Sequence, residues 1–377
     1  MSSATADIRK YDFIDALRGY AILLVLLVHS SQSVGPSSAI LQQLMDGGAR
    51  GVQLFYIASA LTLCLSWKQR STQESYPIRN FFLRRFFRIA PMFYIAIAFY
   101  FILYGLSPRY WAPNGIEWWF VPLTALFLHG FHPETITSVV PGGWSIAVEM
   151  NFYLVLPLLL RWITTTRSSV YFFLSSLVLY GVSRIALEHL LSGLYPADQQ
   201  YLVSNFIFLN FLAQLPVFAL GISAYFVFND PSLLKRVTAF GNLLLLLFAV
   251  VLLPLPLDIA VRLFSNHIFI GAVFSLFALT LAVFPVRILV NKAITWCGKI
   301  SFSMYLTQFA VLHFFSALGI SGFFGKGNAA SILHYLCVVV VTAAVSSILY
   351  ATVERQGILL GKRMIETGRL LPWKESK

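Results

Sequence analysis

Charge is what this 377-residue chain lacks first: 11% of its residues are Asp, Glu, Lys or Arg, against about 25% in a soluble globular domain. So few charges cannot cover a water-facing surface, which excludes an ordinary soluble fold. Cysteine is scarce as well. Cys64, Cys297 and Cys337 are odd in number, far apart and set in or beside apolar runs. That excludes a disulfide framework or a cysteine metal site and leaves small core side chains. There is no repeat at a fixed period, no low-complexity tract and no long linker, and no stretch has room for a separate soluble catalytic domain.

What fills the chain instead is apolar sequence, 58% of it. Runs long enough to cross a bilayer recur from end to end. Ten spans are expected, at 13–32, 49–67, 88–105, 144–161, 169–187, 207–228, 241–257, 267–286, 301–319 and 330–352. One further run, EWWFVPLTALFLHG (117–130), holds only about 13 apolar residues and reads as re-entrant or interfacial. The expected fold class is an all-α polytopic membrane bundle of about ten transmembrane helices plus that short segment, one domain over 1–377.

The net charge of +12 invites a nucleic-acid reading, but there is no zinc-finger spacing, no basic reading helix and no soluble module to dock a duplex. Nucleic acid is excluded as a partner. In a membrane protein Lys and Arg gather in cytoplasmic loops. With the N-terminus inside, 22 of the 27 Lys and Arg fall on the cytoplasmic side; Arg50, Arg109, Arg184, Arg262 and Lys326 fall outside. A full crossing at 117–130 would invert everything after it and spoil that bias. Both ends are therefore expected to be cytoplasmic: a segment at 1–12 and a basic, amphipathic tail at 354–377, with 188–205 an outer loop. The first run, which carries Arg18 and precedes further spans, reads as an uncleaved signal anchor.

Ionisable residues inside spans cost about 3 kcal/mol or more at the bilayer centre and by default mark a functional path. DALRGYAILLVLLVHS (15–30) carries three polar groups on one stripe: at 100° per residue Asp15, Arg18 and His29 share a face, with Arg18 and His29 about 16 Å apart along the axis. The bland alternatives are a topogenic anchor, Arg18 paired to Asp15, and an interfacial histidine. In PGGWSIAVEMNFYLVLPLLLRW (141–162), Glu149 falls in the outer half of its span, at a depth similar to His29. A carboxylate bonded to one ring nitrogen would fix the tautomer of His29 and raise its basicity; Glu149 acting on substrate directly, or paired structurally elsewhere, are the other readings. Trp144 has an ordinary interfacial-belt reading.

In RNFFLRRFFRIAPMFY (79–94), Arg84, Arg85 and Arg88 cluster at the start of a span. Planar bidentate donors there suit a pyrophosphate or 3′-phosphate, and anionic lipid headgroups explain them equally. GKISFSMYLTQ (298–308), with Gly298, Ser301, Ser303 and Tyr305, reads first as helix packing.

Taken in order, DALRGYAILLVLLVH, GVQLFYIASA, RRFFRIAPMFY, WSIAVEMNFYLVLP, ISFSMYLTQ and the closing VERQ with Glu354 resemble the acyltransferase-3 family of membrane acyltransferases, which includes O-antigen and exopolysaccharide O-acetyltransferases. The resemblance runs over essentially the whole chain. It implies transfer of an acyl group, usually acetyl from acetyl-CoA, to a hydroxyl, usually of a carbohydrate, in a bacterial inner membrane. It implies no permanently bound cofactor and no metal, with acyl-CoA, a carbohydrate acceptor and the bilayer as partners. It assigns His29 to catalysis, Arg85 and Arg88 to the donor, and a supporting role to Arg18. Two positions depart from the family's pattern: Ser59-Ala60 stands for a frequent Ser-Gly, and Gln308 for a frequent histidine that His313, 140° away on another helix face, cannot replace.

The mechanism expected has CoA phosphates on Arg85 and Arg88 and the pantetheine arm reaching inward. His29, oriented by Glu149, is the general base on the acceptor hydroxyl; an acyl-histidine intermediate is the rival. Tyr153, Tyr305 or Ser145 would donate to the developing oxyanion. The alternative from another class is a secondary transporter or flippase, against which stands the absence of paired repeats and matched broken helices.

Overall fold

The computed structural model describes residues 11–240 and 266–367. The expected span at 241–257 and the charges Arg9, Lys10, Arg262, Arg369, Lys374 and Lys377 lie outside the described residues. Within them the chain is all-helical, and the only extended pairing is a single bridge between Arg109 and Ala112.

In chain order the helices are α1 (Asp12–Ser33), α2 (Ala39–Asp46), α3 (Gly51–Arg70), α4 (Pro77–Tyr104), α5 (Phe120–Ala125), α6 (Trp144–Trp162), α7 (Thr166–Leu191), α8 (Gln200–Leu209) and α9 (Phe211–Phe228). After α10 (Pro231–Ala239) follow α11 (His267–Val283), α12 (Lys292–Lys299), α13 (Ser301–Ala317), α14 (Ile320–Phe323), α15 (Asn328–Leu349) and α16 (Arg355–Thr367). Among the described residues seven helical runs are long and apolar enough to cross a membrane, eight if α12 and α13 count as one broken span. The apolar α11 is shorter, at 17 residues. This is an integral membrane helical bundle.

Several boundaries differ from the expected spans for physical reasons. Helix α4 begins at Pro77 rather than 88, because proline is pre-set for a first turn and nothing breaks the helix before Gly105. Its 28 residues are about 42 Å long, against a hydrocarbon core of about 30 Å, so Arg79, Arg84 and Arg85 ride on a helix instead of preceding one. The span expected at 301–319 is preceded by α12 at a bend of 78°. After α15 a π-helical turn (Tyr350–Glu354) leads straight into α16, so residues 355–367 form a helix laid on α4. Gly357 and Gly361 permit this contact: a Cβ on either would come within 2.7 Å of Phe87 or Pro91. The 117–130 run forms the six-residue α5 and begins a three-residue turn at His129–Phe131, too short to cross.

Helix α1 is the central element, packed against α3, α12, α13 and α15. Glycine makes the closest approach possible. A Cβ on Gly19 would collide with the Ile294 carbonyl, and one on Gly298 with the Asp15 carbonyl, so α12 crosses α1 backbone to backbone. By contrast α7, with 11% of its apolar window buried, lies at the periphery against α9.

Candidate active site

Five helices and the π turn converge where α1 carries its polar stripe. A cavity is lined by Arg18 from α1, Tyr56 and Ser59 from α3, Arg85 and Arg88 from α4, Ser145, Glu149 and Tyr153 from α6, and Ser301 and Tyr305 from α13. Residues that sequence spacing places on separate helices thus share one chamber: Arg18, Arg85, Arg88, Glu149, Ser145, Tyr153 and Tyr305.

The three guanidiniums differ in how they are held. Arg18 is fixed from both sides, with Asp15 one turn below at 3.6 Å and a 2.9 Å hydrogen bond donated to Thr62. Arg85 lies over the rings of Phe81 and Tyr153, 6.0 and 5.9 Å from their centroids, and its Nε is buried with no partner. Neither Arg85 nor Arg88 is in an ion pair among the described residues. Arg84, 100° around the helix, is spoken for: it donates to Glu74 at 2.7 Å, and Glu74 also accepts from Arg70 at 3.1 Å. Two basic groups therefore enter the cavity from α4 with donors to spare, which suits an anionic ligand.

Glu149 is not the partner of His29. Its Oε1 accepts from Ser59 at 2.6 Å and from Tyr153 one turn along α6, so the carboxylate is bound within the α3–α6 wall. The Nδ1 of His29 instead donates to Oε1 of Gln308 at 3.1 Å. The amide cannot be the other way round, because its Nε2 donates to the Tyr305 carbonyl at 3.1 Å. An amide oxygen only accepts, so Nδ1 carries the proton and Nε2 is left with its lone pair. The ring also packs on Phe309, centroids 4.4 Å apart. His29 does not line the cavity; it reaches the wall through Gln308 and Tyr305.

At that wall Tyr305 donates to the Gly142 carbonyl at 2.9 Å, and Ser145 donates to the Tyr305 oxygen at 2.7 Å. Gly142, at φ 74°, makes the turn that presents this carbonyl. All three oxyanion-donor candidates have a partner: Tyr153 donates to Glu149, Tyr305 to the Gly142 carbonyl and Ser145 to the Tyr305 oxygen. Half-buried Trp144 is edge-on to Tyr56. Glu354 is buried in the π turn, accepts from Ser303 at 2.7 Å and leaves Oε1 unbonded, with Arg88 the opposing charge that acts on it most strongly.

In the sequence Gln308 and Ser59 stand out only as departures from the family's pattern, and Thr62 and Tyr56 not at all; only the three-dimensional packing shows what each faces. Among the described residues no group of three or more His, Cys, Asp or Glu could hold a metal.

Residues 11–351 match the model of an acyltransferase domain, acyltransferase-3. The chain belongs to the acyltransferase-3 family. It is 22% identical, over 82% of its length, to a provisionally named O-acetyltransferase of Staphylococcus aureus strain COL. To the O-acetyltransferase OatA of Staphylococcus aureus strain MRSA252 it is 21% identical over 97% of its length, and to the peptidoglycan O-acetyltransferase OatA of Listeria monocytogenes 25% over 43%. The match covers 52%, 59% and 27% of those proteins, so the chain spans about half the length of the curated relatives it matches. No solved structure matches it. The stretches that carry the resemblance to the acyltransferase-3 family, apart from the closing VERQ, lie on α1, α3, α4, α6 and α13, the helices that line the cavity.

Proposed function

We propose that this chain is a membrane O-acyltransferase that moves an acetyl group from cytoplasmic acetyl-CoA to a hydroxyl of an envelope carbohydrate. The observation that carries the proposal is the cavity itself. Two unpaired guanidiniums enter it from α4, a third is fixed on α1, and the same α1 stripe ends in a histidine whose free nitrogen is set by Gln308.

In this reading the CoA phosphates sit on Arg85 and Arg88 and the thioester arm runs past Tyr305 toward His29. Nε2 of His29 takes the proton of the acceptor hydroxyl as its oxygen attacks the thioester carbonyl. The tetrahedral oxyanion takes a hydrogen bond from Ser145, whose one O–H turns to it from the Tyr305 oxygen. Collapse breaks the C–S bond, and the imidazolium returns its proton to the departing thiolate. Glu149 acts from the opposite wall: it balances the positive charge of the chamber and holds Tyr153 beneath Arg85.

The test is acetyl transfer measured in membranes with varied acetyl-CoA. Replacing Arg85 with alanine should raise KM for acetyl-CoA by about tenfold or more, the worth of one charged contact. Wild-type membranes that add no acetyl group to envelope glycans, compared between cells with and without the gene, would refute the reading.

A further inference from the structure

A second cavity lies at the opposite end of α1 from the guanidiniums. Its walls are Ser33 at the end of α1, residues 34–37 just past it, and residues 321–327, from α14 into the turn that follows it. Its volume is about 480 Å³, within the range of small-molecule sites. Only Val34 and Pro36 offer apolar side chains there; the rest are the hydroxyls of Ser33, Ser37 and Ser321, the Lys326 ammonium and glycine backbone. No carboxylate lines it.

Two connections tie this cavity to His29. Ser33 is four residues on from His29, on the same face of α1 about 6 Å further along the axis. The stripe of Asp15, Arg18 and His29 therefore runs from the first cavity into the second. In addition, fully buried His334 on α15 ties the cavity wall to α1 one residue past His29: Nδ1 is 2.9 Å from the hydroxyl of Ser30, and Nε2 is 3.2 Å from the hydroxyl of Ser321 in the cavity wall. A neutral imidazole donates through one nitrogen and accepts through the other, so the serines take opposite roles and the Ser321 hydroxyl is held in one direction.

We propose that this second cavity is the acceptor site and that it holds a saccharide, with His334 a positioning residue that aims Ser321 at one of its oxygens. The proposal rests on the acyltransferase reading above, since it names the substrate of the same His29. Three hydroxyls, an ammonium and glycine peptide groups, set in a wall with apolar area between them, give a polyol both hydrogen bonds and a face to pack on. Lys326 favours a sugar that bears a negative charge.

Gly322 offers a direct test, because a Cβ there meets nothing within 4 Å, so Gly322→Trp can fold while filling the cavity. In membranes the variant should raise KM for the envelope glycan acceptor about tenfold, with acetyl-CoA affinity unchanged. Ser321→Ala should do the same more weakly, and Ser321→Thr, which keeps a hydroxyl, should restore it. Unchanged acceptor KM in both Gly322→Trp and Ser321→Ala would overturn the proposal. A second arm reads occupancy without activity. Phe323→Cys, exposed beside Gly322, is labelled with a benzophenone maleimide on the full chain in cells and irradiated. Covalent capture of carbohydrate supports the site even if no acetyl transfer is found, which would sink only the parent reading; capture of phospholipid alone, or of nothing, overturns it.

Discussion

An amide oxygen can only accept a hydrogen bond, and that gives Gln308 its importance. With its nitrogen tied to the Tyr305 carbonyl, its oxygen holds the His29 ring as the Nδ1–H tautomer. Replacing Gln308 with leucine leaves the imidazole free to rotate and to change tautomer. We expect kcat to fall by about tenfold to a hundredfold, part of the 10²–10⁴ that general-base help supplies, with KM for acetyl-CoA unchanged; Gln308→His, which can still accept through one ring nitrogen, should keep most of the rate. Steady-state kinetics in proteoliposomes separates the two. The partnership could not be read from the sequence. Helical spacing shows which residues share a face of one helix, so the stripe of Asp15, Arg18 and His29 was visible. It does not show which face of another helix, 279 residues away, comes to meet it. Glu149 at similar depth was the better guess by charge, and Ser59 and Tyr153 hold it elsewhere.

Helices here approach through glycine, and the contrast between two glycines measures how much. Gly298 lets α12 cross α1 at the Asp15 carbonyl, whereas a Cβ on Gly181, in the middle of peripheral α7, meets nothing. Gly298→Val should therefore cost about 3 kcal/mol or more through overpacking, while Gly181→Ala should be neutral or add about 0.5–1 kcal/mol; thermal melts in detergent compare them. The 78° break between α12 and α13 was hidden from the sequence because no proline marks it. The close crossing of α1 that Gly298 permits lies at this break, two residues before Ile300. A different join links α3 to α4. Burial pushes the Glu74 carboxyl up, but hydrogen bonds from Arg84, Asn80 and Arg70 outweigh it and hold the group below its ordinary value. A depressed carboxylate stabilises above its unfolded pKa and loses that contribution as pH falls through the folded one. The clamp should thus weaken below about pH 4, and Glu74→Gln should flatten that acid limb of a pH-stability profile.

Across the whole molecule, hydropathy made the helical bundle legible, because a bilayer requires long apolar runs, but not the number of spans: among the described residues seven or eight runs are long enough to cross, 207–228 is broken at Asn210 and α11 is short. The ends of those helices were less legible, as Pro77 and the continuous α15–α16 run show, since charged turns at a membrane surface can be helix or loop. The orientation drawn from basic residues has its own check in a cysteine-free background. An impermeant maleimide should label Ser37→Cys in intact cells and Gln73→Cys only after permeabilisation; the reverse pattern would turn the bundle over and place the donor on the wrong side.

The account depends most on His29. Reconstituted with acetyl-CoA and envelope glycan, His29→Ala should transfer no acetyl group while binding CoA as tightly as the wild type. Transfer at the wild-type rate by a folded His29→Ala protein would contradict the mechanism outright.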